Sequence, residues 1–275
     1  MFSRGRTTPV ERPRVVATDL DGTLLDSRGA VSARTQSALQ RMWDLGIETV
    51  FVTARPPRWI DPLAEHVGGH GVAICANGAF VYDVEARRVV EAVGLPSGSL
   101  SGIVADVRAA YPGVGFAAER PEGMHLDPAY RSPMVDLHAH DDPPAARGPI
   151  ESVRGVVGKL LARCPEVPDV EFVESVATIV ADRGIVAYSG AGGLAEIGPP
   201  GVTKATALER WCRERSIDAA QVWAFGDMPN DLPMLAWAGR SFAMRSGHEE
   251  VRDLADAVCA GNDDDGVARV LEAIR

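Results

Sequence analysis

Short apolar runs that break off on polar or acidic residues set the strongest limit on what this chain can fold into. Val15 to Thr18, Ile47 to Val52, Val72 to Cys75 and Val222 to Phe225 are too short to be buried helices and read as strands covered on both faces of a parallel sheet. Between the first two, Leu39, Met42 and Leu45 recur at helical spacing, after a Ser32 cap and before Gly46. A second helix is expected at about Pro57 to His66. Gly201-Val202-Thr203-Lys204 opens another, with Ala205, Leu208, Trp211 and Cys212 as its apolar positions. Strand and helix alternating in this way imply right-handed crossovers and an α/β fold with a doubly wound, mostly parallel, Rossmann-like sheet. Asn77-Gly78, followed by Phe80, Val81 and Tyr82, predicts a hairpin.

From about Asp83 to Ala195 the pattern changes. Strands are expected at Val89 to Val93, Val114 to Ala118, Val156 to Leu161 and Ile185 to Ser189, with helices near Ser97 to Ala110 and Val167 to Val180. Two βαβ-like units of this kind make a smaller α/β domain, inserted at 83–195 into a core of 12–82 and 196–275. Residues 1–11 read as a polar head. The loop from about Glu119 to Pro149 is long and rich in His, Asp and Arg, and loops of that length are functional or disordered.

Composition narrows the function classes. The 275 residues carry a formal net charge of -10, which argues against general nucleic-acid binding, since that depends on neutralising phosphates with Lys and Arg. The cysteines Cys75, Cys164, Cys212 and Cys259 form no Cys-x-x-Cys pair, so neither zinc nor a disulfide framework is indicated. Met1 to Arg14 lacks an apolar h-region, and no run approaches membrane-spanning length. The expected location is the cytoplasm, away from membranes. Oligomeric state is left open.

Asp19-Leu20-Asp21-Gly22 places two carboxylates on alternate positions at a strand end, where both would project to one side. Taken alone, the stretch reads equally as an Asp-Gly turn. Ligands of doubly wound sheets bind at the carboxyl ends of strands, and Asp19, Asp21, Thr53 and Asn77 all fall there. Lys204 and Gly226-Asp227-Met228-Pro229-Asn230-Asp231 complete an ordered set. Two histidine pairs read as structure: His66 and His70 span Gly68-Gly69, which spoils a helical metal clamp, and His138 and His140 lie in the long loop.

Together, Asp19-x-Asp21-Gly22-Thr23, Phe51-Val52-Thr53-Ala54-Arg55-Pro56, Ala76-Asn77-Gly78-Ala79, Gly201-Val202-Thr203-Lys204-Ala205 and the Asp227 segment resemble the haloacid dehalogenase superfamily, and within it the Cof-type phosphatases with a type IIB cap. The resemblance covers nearly all of 13–275 and is weakest through the cap. It implies a Mg²⁺-dependent phosphatase acting on a small phosphorylated metabolite such as a sugar phosphate. Phosphoryl transfer needs a nucleophile, neutralisation of the phosphoryl oxygens and a proton for the leaving group. The resemblance gives Asp19 the first role, through an aspartyl phosphate, and Asp21 the acid and base roles. Asp227, Asp231, Asp19 and the carbonyl of Asp21 would bind Mg²⁺. Thr53, Lys204 and Asn230, with Leu20 and Ala54, are the phosphate-binding positions. Arg55, Asn77, Glu119, Arg120 and His125 are possible substrate contacts, and Arg131 is a further cap residue of interest. One departure is visible: Ala243-Met244-Arg245-Ser246-Gly247-His248 stands where many relatives have an Asn-Ala pair, so an Asn bracing the acidic cluster is missing. A phosphosugar mutase and a non-catalytic phosphometabolite-binding protein are the alternatives.

Overall fold

The structure is a computed structural model that describes residues 12–67, 69–131, 145–187 and 193–274. The chain divides into two compact units, residues 1–50 with 209–275 and residues 51–208, whereas the expected core and insert divide at 82/83 and 195/196. The first half of the chain forms β1 (Val15–Thr18), α1 (Ala33–Asp44), β2 (Glu48–Val52), α2 (Asp61–Ala64), β3 (Val72–Cys75), β4 (Phe80–Asp83), β5 (Arg88–Ala92), α3 (Ser97–Ala110), β6 (Gly115–Arg120) and β7 (Gly123–Leu126). There follow β8 (Ala146–Arg147), β9 (Lys159–Arg163), α4 (Asp169–Val180), β10 (Ile185–Ala187), β11 (Leu194–Gly198) and α5 (Lys204–Glu214). The chain closes with β12 (Val222–Gly226), α6 (Leu232–Trp237), β13 (Arg240–Met244), α7 (Glu249–Leu254), β14 (Ala257–Cys259) and α8 (Gly266–Glu272). The expected head, 1–11, and His138 and His140 lie outside the described residues.

In the first unit the strands order β14-β13-β12-β1, every pairing is parallel, and β2 begins beside β1. All residues of β1 and β12 are buried, as their unbroken apolar character requires. Phe225 and Phe242 stack with ring centroids 4.7 Å apart on neighbouring strands. Ser32 caps α1, its hydroxyl accepting the Thr35 N–H at 3.1 Å, and Gly46 at φ +68° ends it in a left-handed turn. The helix buries Ala38, Leu39 and Met42, and each of the two larger side chains contributes about 1.5–3 kcal/mol.

In the second unit β3, β4 and β5 form an antiparallel meander. The expected Asn-Gly hairpin is present: Cys75 pairs with Phe80, and the turn between them holds Ala76, Asn77 and Gly78 at φ 51°, 56° and 111°. The expected helix at 57–66 is reduced to the single turn α2 between 3-10 turns, in a segment where Pro57 and Pro62 each lack an N–H. A six-stranded sheet orders β10-β11-β9-β6-β7-β8, antiparallel except between β7 and β8. A core that includes Ile103, Val107, Phe116, Leu160, Phe172 and Val176 packs α3 and α4 onto one face of it.

Two expectations for the insert are corrected. Arg88–Ala92 pairs with β4 rather than joining the six-stranded sheet, and the paired neighbours β6 and β9 are antiparallel rather than βαβ partners. Strands β7 and β11 were not expected, because their apolar runs are interrupted by His125 and Glu196. Among the described residues, no helix is long and apolar enough to cross a membrane.

Candidate active site

Strands β1 and β12 run in parallel register with Thr18 opposite Phe225, so the residues that follow leave the sheet side by side. The Asp19 N–H donates to the Phe225 carbonyl at 3.0 Å, which extends the ladder one step beyond β1. Asp19, Asp227 and Asp231 are 5%, 9% and 0% exposed, and each offers a carboxylate oxygen within 4.8 Å of the others. Three buried carboxylates this close repel one another unless a cation lies among them. The donor set suits Mg²⁺, an all-oxygen ion whose octahedral ligands sit about 3–4 Å from one another.

The cluster is built from the backbone outward. Oδ2 of Asp231 accepts the N–H groups of Asp227 and Met228, each at 3.1 Å. A Cβ at Gly226 would lie 2.6 Å from Cβ of Asp231, so only glycine allows that carboxylate to fold back over the strand end. Thr23 donates its hydroxyl to Oδ1 of Asp227 at 2.9 Å. On the far side His248 N–H donates to the Asp227 carbonyl at 2.7 Å, and a Cβ at Gly247 would come within 2.9 Å of Asp227 Cα. These contacts occupy the place where the Asn-Ala pair is missing: a close backbone approach and an amide brace Asp227. Sequence reasoning left Gly247 and His248 out of the site, and the interrupted Asn-Ala position was the only signal for them.

Asp21 is not one of these three. The carbonyl of Leu20 accepts from Leu24 and Leu25 at 3.0 and 2.9 Å, closing a turn on which Asp21 is exposed. Asn230 is half-buried in the turn Pro229–Asp231.

The second unit gathers the other predicted residues. Thr53 is buried just beyond β2, its N–H donating to Ile74 carbonyl at 2.8 Å. The Thr53 hydroxyl accepts the Arg55 N–H at 3.1 Å, and its carbonyl accepts the Asn77 N–H at 3.0 Å. Lys204, 2% exposed, begins α5. A Cβ at Gly78 would fall 2.5 Å from the Thr203 carbonyl, so the Asn77 turn lies against the start of that helix. A buried ammonium at a helix N-terminus favours an anion. Of the insert residues, Glu119 is buried and paired with Arg58, with Nη2 to Oε1 at 3.0 Å. Nε2 of the buried His125 lies 3.0 Å from the Gly148 carbonyl, and half-buried Arg120 pairs with Glu122 at 3.0 Å.

The profile of the haloacid dehalogenase-like hydrolases matches residues 16–271. The chain is 27% identical over 266 residues to a 5-amino-6-(5-phospho-D-ribitylamino)uracil phosphatase of Bacillus subtilis, spanning 95% of this chain and 97% of that protein. It is 25% identical over 273 residues to a pyridoxal phosphate phosphatase of Escherichia coli, spanning 94% and 97% of the two. Among solved structures, a haloacid dehalogenase-like hydrolase from Bacteroides thetaiotaomicron has the same fold, with TM-score 0.80, 23% identity and coverage of 96% of this chain and 100% of that one. A subclass IIB sugar phosphatase matches at TM-score 0.78 and 21% identity, covering 94% and 97%.

Proposed function

Because the chain belongs to the haloacid dehalogenase-like hydrolase family, we propose that it hydrolyses the phosphoric monoester of a small metabolite, such as a sugar phosphate, with Mg²⁺ and through an aspartyl phosphate. Phosphomonoester hydrolysis follows from family membership and from relatives named as phosphatases along almost their whole length. The metal, the covalent step and the substrate class go beyond that.

The observation that carries the proposal is the buried Asp19, Asp227 and Asp231 cluster at the ends of two parallel strands. Asp19 attacks phosphorus, and the P–O bond to the leaving group breaks as the Asp19–phosphoryl bond forms. Asp21 gives its proton to the departing oxygen. It then takes one from the water that attacks phosphorus and frees Asp19, help worth about 10²- to 10⁴-fold. Its exposure supports proton exchange with solvent between the two steps. Lys204 places a positive charge and Thr53 a hydroxyl on the phosphoryl oxygens, with Leu20, Ala54 and Asn230 as further phosphate contacts. Asp19, Asp227, Asp231 and the carbonyl of Asp21 hold Mg²⁺, which supplies charge neutralisation when bound. The insert at 83–195 is the cap, and the phosphorylated ribityl and pyridoxal compounds named for relatives support a small organic phosphate as substrate.

Phosphate release from aryl phosphates and a metabolite panel tests this with Mg²⁺, with EDTA and with Asp19→Asn. Turnover is expected only for the wild type with the metal. Release that persists in Asp19→Asn removes the proposed nucleophile.

A further inference from the structure

Between β1 and α1 the chain passes from Asp21 to Ser32, and the loop between β14 and α8 holds that segment at three points. The side-chain amide of Asn262 donates to the Leu25 carbonyl at 3.0 Å. Oδ1 of Asp263 accepts the Ser27 N–H at 2.7 Å, and the Ser32 hydroxyl donates to Oδ1 of Asp265 at 2.5 Å. Of the three contacts, the first bears on the site. Asp21 and Leu25 are bridged backbone to backbone, and Leu24 and Leu25 both donate to the Leu20 carbonyl. The exposed Asp21 therefore rides on a turn whose far end is Leu25, a fully buried residue.

The other end of the Asn262 side chain is held as well: its Oδ1 accepts the Ser246 hydroxyl at 3.3 Å. Ser246 lies in the stretch where the Asn-Ala pair is missing, directly before Gly247 and His248, which brace Asp227. One half-buried side chain thus ties the turn that carries Asp21 to the loop that holds Asp227. The two contacts ask for a donor and an acceptor on one short planar group, which is an asparagine amide. Alanine would leave the Leu25 carbonyl without this donor, and aspartate would face it with a second acceptor. We propose that Asn262 is a positioning residue for the acid and base steps: by holding the Leu25 end of the turn, it sets where the Asp21 carboxyl stands when the leaving oxygen takes its proton and when water is activated. This rests on the phosphatase reading above.

The test compares two monoesters with opposite need of that proton: the alkyl phosphate that the metabolite panel finds best, and para-nitrophenyl phosphate, whose nitrophenolate leaves unaided. The parameter kcat/KM ends at the first irreversible step, release of the alcohol, so it reads the acid role alone. Asn262→Ala is expected to lose roughly tenfold on the alkyl ester, part of what acid and base help supplies, and less than about threefold on the aryl ester. Slowed activation of water shows separately, as a larger burst of nitrophenolate than wild type gives, ahead of a slower steady rate. Asn262→Asp keeps the volume and should give the same pattern, so it carries the test if the alanine variant does not fold. Ser32→Ala loses a contact at the far end of the same segment and should lower stability without separating the two esters. Equal losses on both esters, no loss on either, or the same separation in Ser32→Ala overturns the inference and leaves the phosphatase reading standing. A wild type inert towards every monoester overturns the phosphatase reading itself.

Discussion

The hydroxyl of Thr23 donates to Oδ1 of Asp227 across 2.9 Å, although 204 residues separate them in the chain. Thr23 is 1% exposed, and its bond sets which way the Asp227 carboxylate faces. Partners that orient a metal ligand typically matter about 10- to 100-fold in affinity. Thr23→Val keeps the shape and removes the donor, so it should weaken Mg²⁺ binding by about that factor in isothermal titration. Unchanged Mg²⁺ affinity would show that Asp227 is oriented by its backbone contacts alone.

Gly22 and Gly29 share a left-handed backbone, φ +79° and +76°, but a Cβ at Gly22 would sit 2.3 Å from Oδ2 of Asp227 while one at Gly29 meets nothing within 4 Å. Alanine at either position should lower stability by about 1–2 kcal/mol through the backbone. Only Gly22→Ala also displaces the carboxylate. It should lose most of its phosphatase activity, whereas Gly29→Ala keeps near-normal turnover once folded. Equal activity in the two variants would separate the acidic cluster from catalysis.

The parts legible in the chain were those with local signals. Val15 to Thr18 and Val222 to Phe225 announce buried parallel strands because every residue is apolar or small, and their register then delivers Asp19 and Asp227. Ser32, Gly46 and Asn77-Gly78 do what their backbone chemistry dictates. What escaped was partnership over distance. Lys159 falls inside the strand expected at Val156 to Leu161 and carried no functional signal of its own, and its partner lies 37 positions further on, in a strand whose apolar run that same Glu196 interrupts. Glu119 and His125, expected as possible substrate contacts in the cap, are both buried against protein partners that lie far from them in sequence.

Burial pushes the Cys212 thiol up to about 12 and the Cys259 thiol up to about 11. Both stay protonated in the folded chain at pH values where an unfolded thiol, near 8.5–9, has ionised. Between about pH 9 and the folded values the native state therefore binds more protons than the unfolded one, so stability falls as pH rises. Cys212→Ala should lack its share of that slope, on the order of 1 kcal/mol per pH unit relative to wild type, in urea melts from pH 8 to 10.5. Parallel curves would mean that the Cys212 thiol ionises as readily folded as unfolded. Below pH 8.5 the native thiols should resist Ellman's reagent until denaturant is added.

Asp19, Asp227 and Asp231 also tie stability to the metal. Three carboxylates with oxygens within 4.8 Å of one another, all 9% exposed or less, place like charges where water screens them poorly. Folding without a cation must hold that repulsion in place, so removing one charge should stabilise the metal-free chain even as it removes the proposed nucleophile. In EDTA, Asp19→Asn is expected to melt about 2–4 °C above wild type, the shift that about 1 kcal/mol produces in a chain of this size class. Added Mg²⁺ should reverse the order, because a ligand that binds only the folded state stabilises by RT ln(1 + [L]/Kd), and the wild type binds it more tightly. Differential scanning fluorimetry across a Mg²⁺ titration reads both effects in one experiment without any substrate. A variant that melts below wild type in EDTA would mean that hydrogen bonds to the Asp19 carboxylate outweigh the repulsion. Curves that do not cross on adding Mg²⁺ would remove Asp19 from the metal site.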